Sequence, residues 1–187
     1  ICIPNTGIIP ENIDDYLTAN NIDYVPVSLP DAGAALAAYR DGRCDVLTAQ
    51  VSSLAAERSA FEDRDCHVSL PEIAAKEPLG LAVRIGDDGW LNLVRWTYFA
   101  LVDAEELGVT SANIDQMLGS DNPEIKRLIG VEGDFGTPLG VSKDWAYQII
   151  KLVGNYGEIF ERNVGPKTTL GLTRGLNALW KDGGLQY

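Results

Sequence analysis

The regular alternation of short apolar runs and helical patterns over residues 1–71 constrains the fold more than any other feature of the sequence. Four runs have the length and composition of strands, and three segments between them carry the apolar periodicity of helices. The strand-like runs are ICIP (1–4), DYVPVSL (23–29), CDVLTA (44–49) and CHVSLP (66–71), and the helical segments are 11–21, 31–42 and 51–61. Strands joined by helical crossovers predict an α/β fold with a parallel, doubly wound sheet.

The pattern changes beyond Pro71. Residues 77–89 predict a strand and a turn, and residues 90–108 predict a helix that is apolar around most of its circumference and therefore deeply buried. Further helices are predicted within 110–130, over 142–165 with a bend or interruption at Gly154–Gly157, and over 172–184 with its end at Gly183. This part is mostly helical and offers its helices no obvious sheet to cover. We therefore predict two domains, 1–74 and 75–187.

Composition excludes several classes of function. Lys+Arg 15 against Asp+Glu 27 gives a net charge of −12, which argues against a nucleic-acid partner. Three cysteines and one histidine provide no metal-ligand spacing. The glycine-rich stretch GVEGDFGTPLG lacks the spacing of a phosphate-binding loop, so we expect a surface loop there and no cofactor.

Several long phrases carry a resemblance to known proteins. They are GRCDVL, LPEIAAKEPLGLAVRIGDDGW, AEELGVTSANIDQM, SDNPEIKRL, SKDWAYQIIKLVGNYGEIFERNVG and RGLNALWKDGGLQY. Together they resemble the carboxyl-terminal two thirds of the general L-amino-acid-binding proteins, periplasmic receptors that serve polar-amino-acid ABC transporters in Gram-negative bacteria. The resemblance implies a periplasmic-binding-protein fold, in which two α/β lobes joined by two crossing strands close on an amino acid. It also implies a periplasmic location, with the membrane subunits of the transporter as partners.

On that template, residues 1–74 form the second lobe, residues 76–87 the return crossing strand, and the rest the helical carboxyl-terminal part of the first lobe. Ile1 opens directly on a strand-like run, so we expect a segment upstream that carries the sheet of the first lobe. That missing segment, or a second copy of the chain, is expected to cover the apolar helix between Trp90 and Val102.

The resemblance implies a ligand site at two places. In the loop after the first strand the family has a glycine followed by threonines, whereas this chain has Thr6 and Gly7 followed by Ile8 and Ile9. At the end of strand 44–49 the family has an aspartate that pairs with the α-ammonium of the ligand, and here Gln50 stands in its place. These residues are the predicted ligand-binding positions, and their changes predict that amino-acid capture in the family's manner is lost.

Each change has an alternative interpretation. Gln50 is also suited to cap the helix over 51–61, and the two isoleucines are also suited to an apolar contact surface. Asp45, at the start of its strand, is interpreted as structural rather than ligand-binding.

The cysteines have two open interpretations. In the predicted sheet, Cys2 and Cys44 lie near the same end of adjacent parallel strands, either as a disulfide formed in the oxidising periplasm or as two buried thiols. Cys66 and His67 invite a nucleophile–base hypothesis, but neighbours on a strand point to opposite faces. We therefore expect no catalytic pair there.

Three functions are compatible with these observations. The first is a solute-binding-protein homologue for amino-acid ABC transport, incomplete or with a degenerate ligand site. The second is an interaction or oligomerisation module that has lost amino-acid binding. The third is an enzyme, because this fold also serves a cyclohexadienyl dehydratase, but the one acid beside the predicted site is Glu11, at a helix start. We therefore predict no enzymatic activity.

Overall fold

Two units make up the chain, Ile1–Leu79 (unit 1) and Gly80–Tyr187 (unit 2). They come from a computed structural model that describes all of residues 1–187. The boundary lies five residues beyond the predicted one at 74, just after the segment 72–78 where the composition changes. The assignment of the two parts to lobes of a receptor stays a prediction.

Unit 1 is built on a small parallel sheet. Strand β1 (Cys2–Pro4) pairs in parallel with β2 (Val27–Leu29), and Leu47 forms a parallel bridge to Cys2 on the other side of β1. Helices α1 (Ile9–Ala19), α2 (Ala32–Arg40) and α3 (Val51–Ser59) alternate with these segments. Parallel strands linked by helices confirm the predicted α/β class.

Two predicted strands are wrong. Cys66 ends a 3-10 turn that begins at Arg64, and the chain continues to residue 71 without regular structure. The strand predicted within 77–89 is likewise irregular up to residue 84. Val68 and Leu70 are 79% and 66% exposed. An apolar run becomes a strand only where another strand accepts its backbone hydrogen bonds, and these segments have no such neighbour.

The core of unit 1 is small and contains a disulfide. Cys2 and Cys44 are bonded to each other with Cα atoms 5.6 Å apart, and they pack with Leu29, Ala35 and Ala38. The alanines allow α2 to lie close to the sheet. The caps of α2 are as expected: Asp31 accepts a 2.8 Å hydrogen bond from the backbone of Ala34, and Gly42, just past the end, has φ +69°.

Unit 2 is helical, as predicted, and none of its helices is long and apolar enough to cross a membrane. Its helices are α4 (Asp88–Glu106), α5 (Ile114–Met117), α6 (Pro123–Leu128), α7 (Trp145–Val153) and α8 (Tyr156–Asn163). Gly154, with φ +82°, separates α7 from α8, which confirms the predicted interruption. The helix predicted over 172–184 is instead two 3-10 turns, Gly175–Asn177 and Trp180–Asp182.

A capping box fixes the start of α8. The Asn155 side chain accepts a hydrogen bond from the backbone of Glu158, and the Glu158 carboxylate accepts one from the backbone of Asn155, both 2.9 Å long. Asn155 is 5% exposed and also donates to the carbonyl of Val109. The Glu158 carboxylate further accepts hydrogen bonds from the backbone and the hydroxyl of Ser111, so it ties the loop after α4 to α8.

The expected deep burial of α4 is wrong. Only Ala100, Val102 and Ala104 of this helix are buried, whereas Trp90 and Trp96 are 53% and 51% exposed. Helices α6, α7 and α8 contact α4. One side of α4, which includes Trp90, lines an open apolar groove of about 560 Å³ together with residues of α7. Unit 2 contains no strands that could cover this side, and burial of an apolar helix requires a covering surface.

Candidate functional site

The candidate site lies where the parallel segments of unit 1 end and two helices begin. Strand β1 ends at Pro4 and leads through a short loop into α1, and the segment at Leu47 leads through Gln50 into α3. A hydrogen bond of 2.7 Å from the Asn5 backbone to the Leu29 carbonyl extends the contact between β1 and β2 to this edge. In open α/β sheets, ligands bind outside the carboxyl ends of the strands.

The loop after β1 presents backbone and one free hydroxyl, that of Thr6, at this edge. Thr6, Gly7 and Ile8 are exposed, Ile9 is half-buried, and no hydrogen bond involves the Thr6 hydroxyl. Gly7 has φ +62°, a conformation that suits glycine. Ile8 takes the N-cap position of α1, where its side chain cannot accept a hydrogen bond. The first N–H groups of α1 are therefore left without a side-chain cap.

Gln50 occupies the N-cap position of α3, but its side chain does not cap the helix. Its Nε2 atom instead lies 3.4 Å from Oε2 of Glu77. The capping interpretation of Gln50 is therefore right about position and wrong about the hydrogen bond.

Glu77 is the site residue that the sequence did not indicate. Its Oε1 accepts a 3.1 Å hydrogen bond from Nδ2 of Asn12, in the first turns of α1, and its Oε2 accepts the one from Gln50. The carboxylate thus bridges the beginnings of α1 and α3. Because its partners lie 65 and 27 residues away along the chain, no local pattern could reveal the contact.

The other candidate residues lie apart from this cluster. Asp45 and Glu11 are exposed and take part in no ion pair. The His67 ring lies 2.6 Å from the Tyr39 hydroxyl and 3.1 Å from the Asp63 carboxylate rather than beside the thiol of Cys66. No group of three or more His, Cys, Asp or Glu side chains could hold a metal ion.

Comparison with known proteins gives a consistent result. No family model matches the chain. The chain is 51% identical to the general L-amino acid-binding periplasmic protein AapJ of Rhizobium johnstonii, and the match spans 100% of this chain and 55% of that protein. It is 45% identical to the glutamate/glutamine/aspartate/asparagine-binding protein BztA of Rhodobacter capsulatus, over 100% of this chain and 56% of the relative.

A solved structure gives the same result at the level of the fold. The ABC transporter periplasmic binding protein from Brucella ovis with glutathione bound is similar with a TM-score of 0.85 and 53% identity, over 100% of this chain and 59% of that one. These matches confirm the resemblance recognised in the sequence and its α/β fold. The chain spans about half the length of the curated relatives it matches.

Proposed function

We propose that this chain, a homologue of the amino-acid-binding periplasmic proteins of ABC transporters, takes part in solute recognition for such a transporter in the periplasm. The solute is an L-amino acid or a small compound with a free amino-acid head. The membrane subunits of the transporter are its proposed partners. The observation that carries the proposal is the meeting of Asn12, Gln50 and Glu77 where α1 and α3 begin.

The chemistry of this edge suits a zwitterion. The uncapped N–H groups at the start of α1 favour a carboxylate, because the N-terminus of a helix carries partial positive charge. Glu77 provides negative charge on the same edge. Ile8 and Ile9 add apolar surface where the family has hydroxyls, so we propose a specificity that differs from that of the relatives.

Weak binding is expected for the chain by itself. An open edge covers fewer ligand atoms than an enclosed pocket, and a ligand of about ten heavy atoms then gains about 4 kcal/mol, which corresponds to a Kd of about 1 mM. A method that detects millimolar binding is therefore required.

Nuclear magnetic resonance titration of the ¹⁵N-labelled chain meets this requirement. L-glutamate, L-glutamine and glutathione are each added up to about 20 mM, well above the expected Kd. We expect saturable shifts at the backbone amides of Gly7, Gln50 and Glu77, while that of Ile150 in unit 2 stays in place as an internal control. Amides at the site that stay unshifted with every solute would refute the proposal.

The exposed side of α4 favours a second candidate, an interaction module. Trp90 is half-exposed and lines the apolar groove of unit 2, and contiguous apolar surface of this kind marks contact sites. In this candidate the side packs against a second copy of the chain. Light scattering should then show a dimer that dissociates when Trp90→Ser is introduced, and a monomer at about 100 µM, far above a micromolar Kd, excludes the candidate.

A further inference from the structure

We propose that Glu77 supplies the negative charge that pairs with the α-ammonium group of the solute, an inference that rests on the function proposed above. The sequence predicts that this charge is missing, because an amide stands at position 50. The structure places a carboxylate 3.4 Å from that amide, contributed by a residue 27 positions further along the chain.

The carboxylate of Glu77 is held in place without a cation. Asn12 and Gln50 each donate one amide hydrogen bond to it, one to each carboxylate oxygen, at 3.1 and 3.4 Å. Glu77 takes part in none of the ion pairs of the protein. Neutral donors orient a carboxylate and leave its charge uncompensated, and two of its about four acceptor positions remain free. Such a group is suited to a cationic ligand.

The amide at position 50 is the complement of this carboxylate. Gln50 uses its NH₂ group as the donor to Glu77, which leaves its carbonyl oxygen as a second acceptor beside the charge. An ammonium group has three donors and requires several acceptors. A carboxylate at position 50 would instead lie next to Glu77, and two like charges at that distance cannot both stay ionised without cost. Gln50 is therefore a positioning residue for Glu77.

The test compares amino acids with analogues that lack the α-ammonium group. The probes are L-glutamate with glutarate, and L-glutamine with glutaramate, followed by the same magnetic resonance titration. For the wild-type chain we expect the amino acid to bind about tenfold more tightly than its analogue, the factor of one charge-assisted hydrogen bond at a partly exposed position.

Three variants make the test specific. Glu77→Gln keeps the size of the side chain, removes the charge and should abolish the preference for the amino acid. Glu72→Gln, which removes an exposed carboxylate five positions earlier, should retain it. The double variant Gln50→Glu with Glu77→Gln returns one carboxylate to the pair and should restore the preference. An unchanged spectrum away from the site verifies that each variant folds.

The outcomes separate this inference from the proposed function. If the wild-type chain binds both members of each probe pair equally, or if Glu77→Gln keeps the preference, the role of Glu77 is overturned while solute binding stands. If the wild-type chain binds none of the four probes, the role of Glu77 is overturned, and if glutathione also leaves the spectrum unchanged, the proposed function fails with it.

Discussion

Replacement of Glu158 by alanine is the most informative perturbation of unit 2. The Glu158 carboxylate accepts hydrogen bonds from the Asn155 backbone at 2.9 Å, the Ser111 backbone at 3.0 Å and the Ser111 hydroxyl at 2.6 Å. It therefore closes the capping box of α8 and holds the loop that follows α4. Alanine removes all three hydrogen bonds and the acidic charge in the first turn of the helix.

The expected loss of stability follows from these contacts. Each net hydrogen bond contributes about 0.5–1.5 kcal/mol, and the contacts to Ser111 are exposed, so water replaces part of what is lost. We expect the free energy of unfolding of unit 2 to fall by about 2 kcal/mol. With a urea dependence of about 2 kcal/mol per molar, the midpoint moves down by about 1 M.

The effect should depend on pH. Burial raises the pKa of the Glu158 carboxyl, but hydrogen bonds from the Ser111 hydroxyl and from the Asn155 and Ser111 backbones outweigh it and hold the pKa below the ordinary value of 4.5. A depressed pKa stabilises the folded state fully above the ordinary value, and this contribution is lost as the pH falls through the folded-state pKa. The wild type and the variant should therefore differ at pH 7 and converge as the solution is acidified below the folded-state pKa.

Tryptophan fluorescence during urea unfolding is the suitable assay, because it reports on unit 2 alone. All four tryptophans lie in that unit: Trp90, Trp96, Trp145 and Trp180. Glu161→Ala is the matched control, since it removes the same charge from an exposed position on the same helix. The prediction is wrong if Glu158→Ala lowers the free energy of unfolding no more than Glu161→Ala does at pH 7, or if the loss of stability persists unchanged in acid.

Three further predictions concern other contacts. Reduction of the Cys2–Cys44 disulfide should destabilise unit 1 by about 3 kcal/mol in circular dichroism melts, with the tryptophan transition unchanged. Gly140→Ala should lower the free energy of unfolding of unit 2 by roughly 1 kcal/mol in urea, and Gly130→Ala should lower it by at least twice as much. Both glycines have positive φ, but only at Gly130 does an added Cβ overlap a backbone carbonyl. Arg174→Lys should lower the free energy of unfolding by about 1.5 kcal/mol in the same assay, because lysine cannot keep the bidentate pairing of Arg174 with Glu105. A variant as stable as the wild type would contradict this prediction.

Features of the fold that depend on local patterns could be predicted from the sequence. The alternation in the first half, the cap at Asp31 and the interruption at Gly154 each follow from a few neighbouring residues. The irregular backbone over 66–71 and the exposure of the helix from Trp90 onward could not be predicted. Both depend on a second surface, and the pattern of one segment does not reveal whether that surface exists.

One part of the candidate site could be predicted from the sequence and another part could not. The position of Gln50 at the end of a parallel segment followed from the order of strands and helices. Its partner Glu77 did not, because residues far apart in sequence meet there only through the tertiary fold. The sequence therefore located the edge but not the charge on it.

The placement of β1 in the middle of its sheet has a consequence for the order of folding. Strand β1 receives Val27–Leu29 on one side and Leu47 on the other, so during synthesis it waits for about 45 later residues before both of its edges are occupied. Thiol trapping during refolding would time this event, because Cys2 stays reactive until Cys44 arrives beside it.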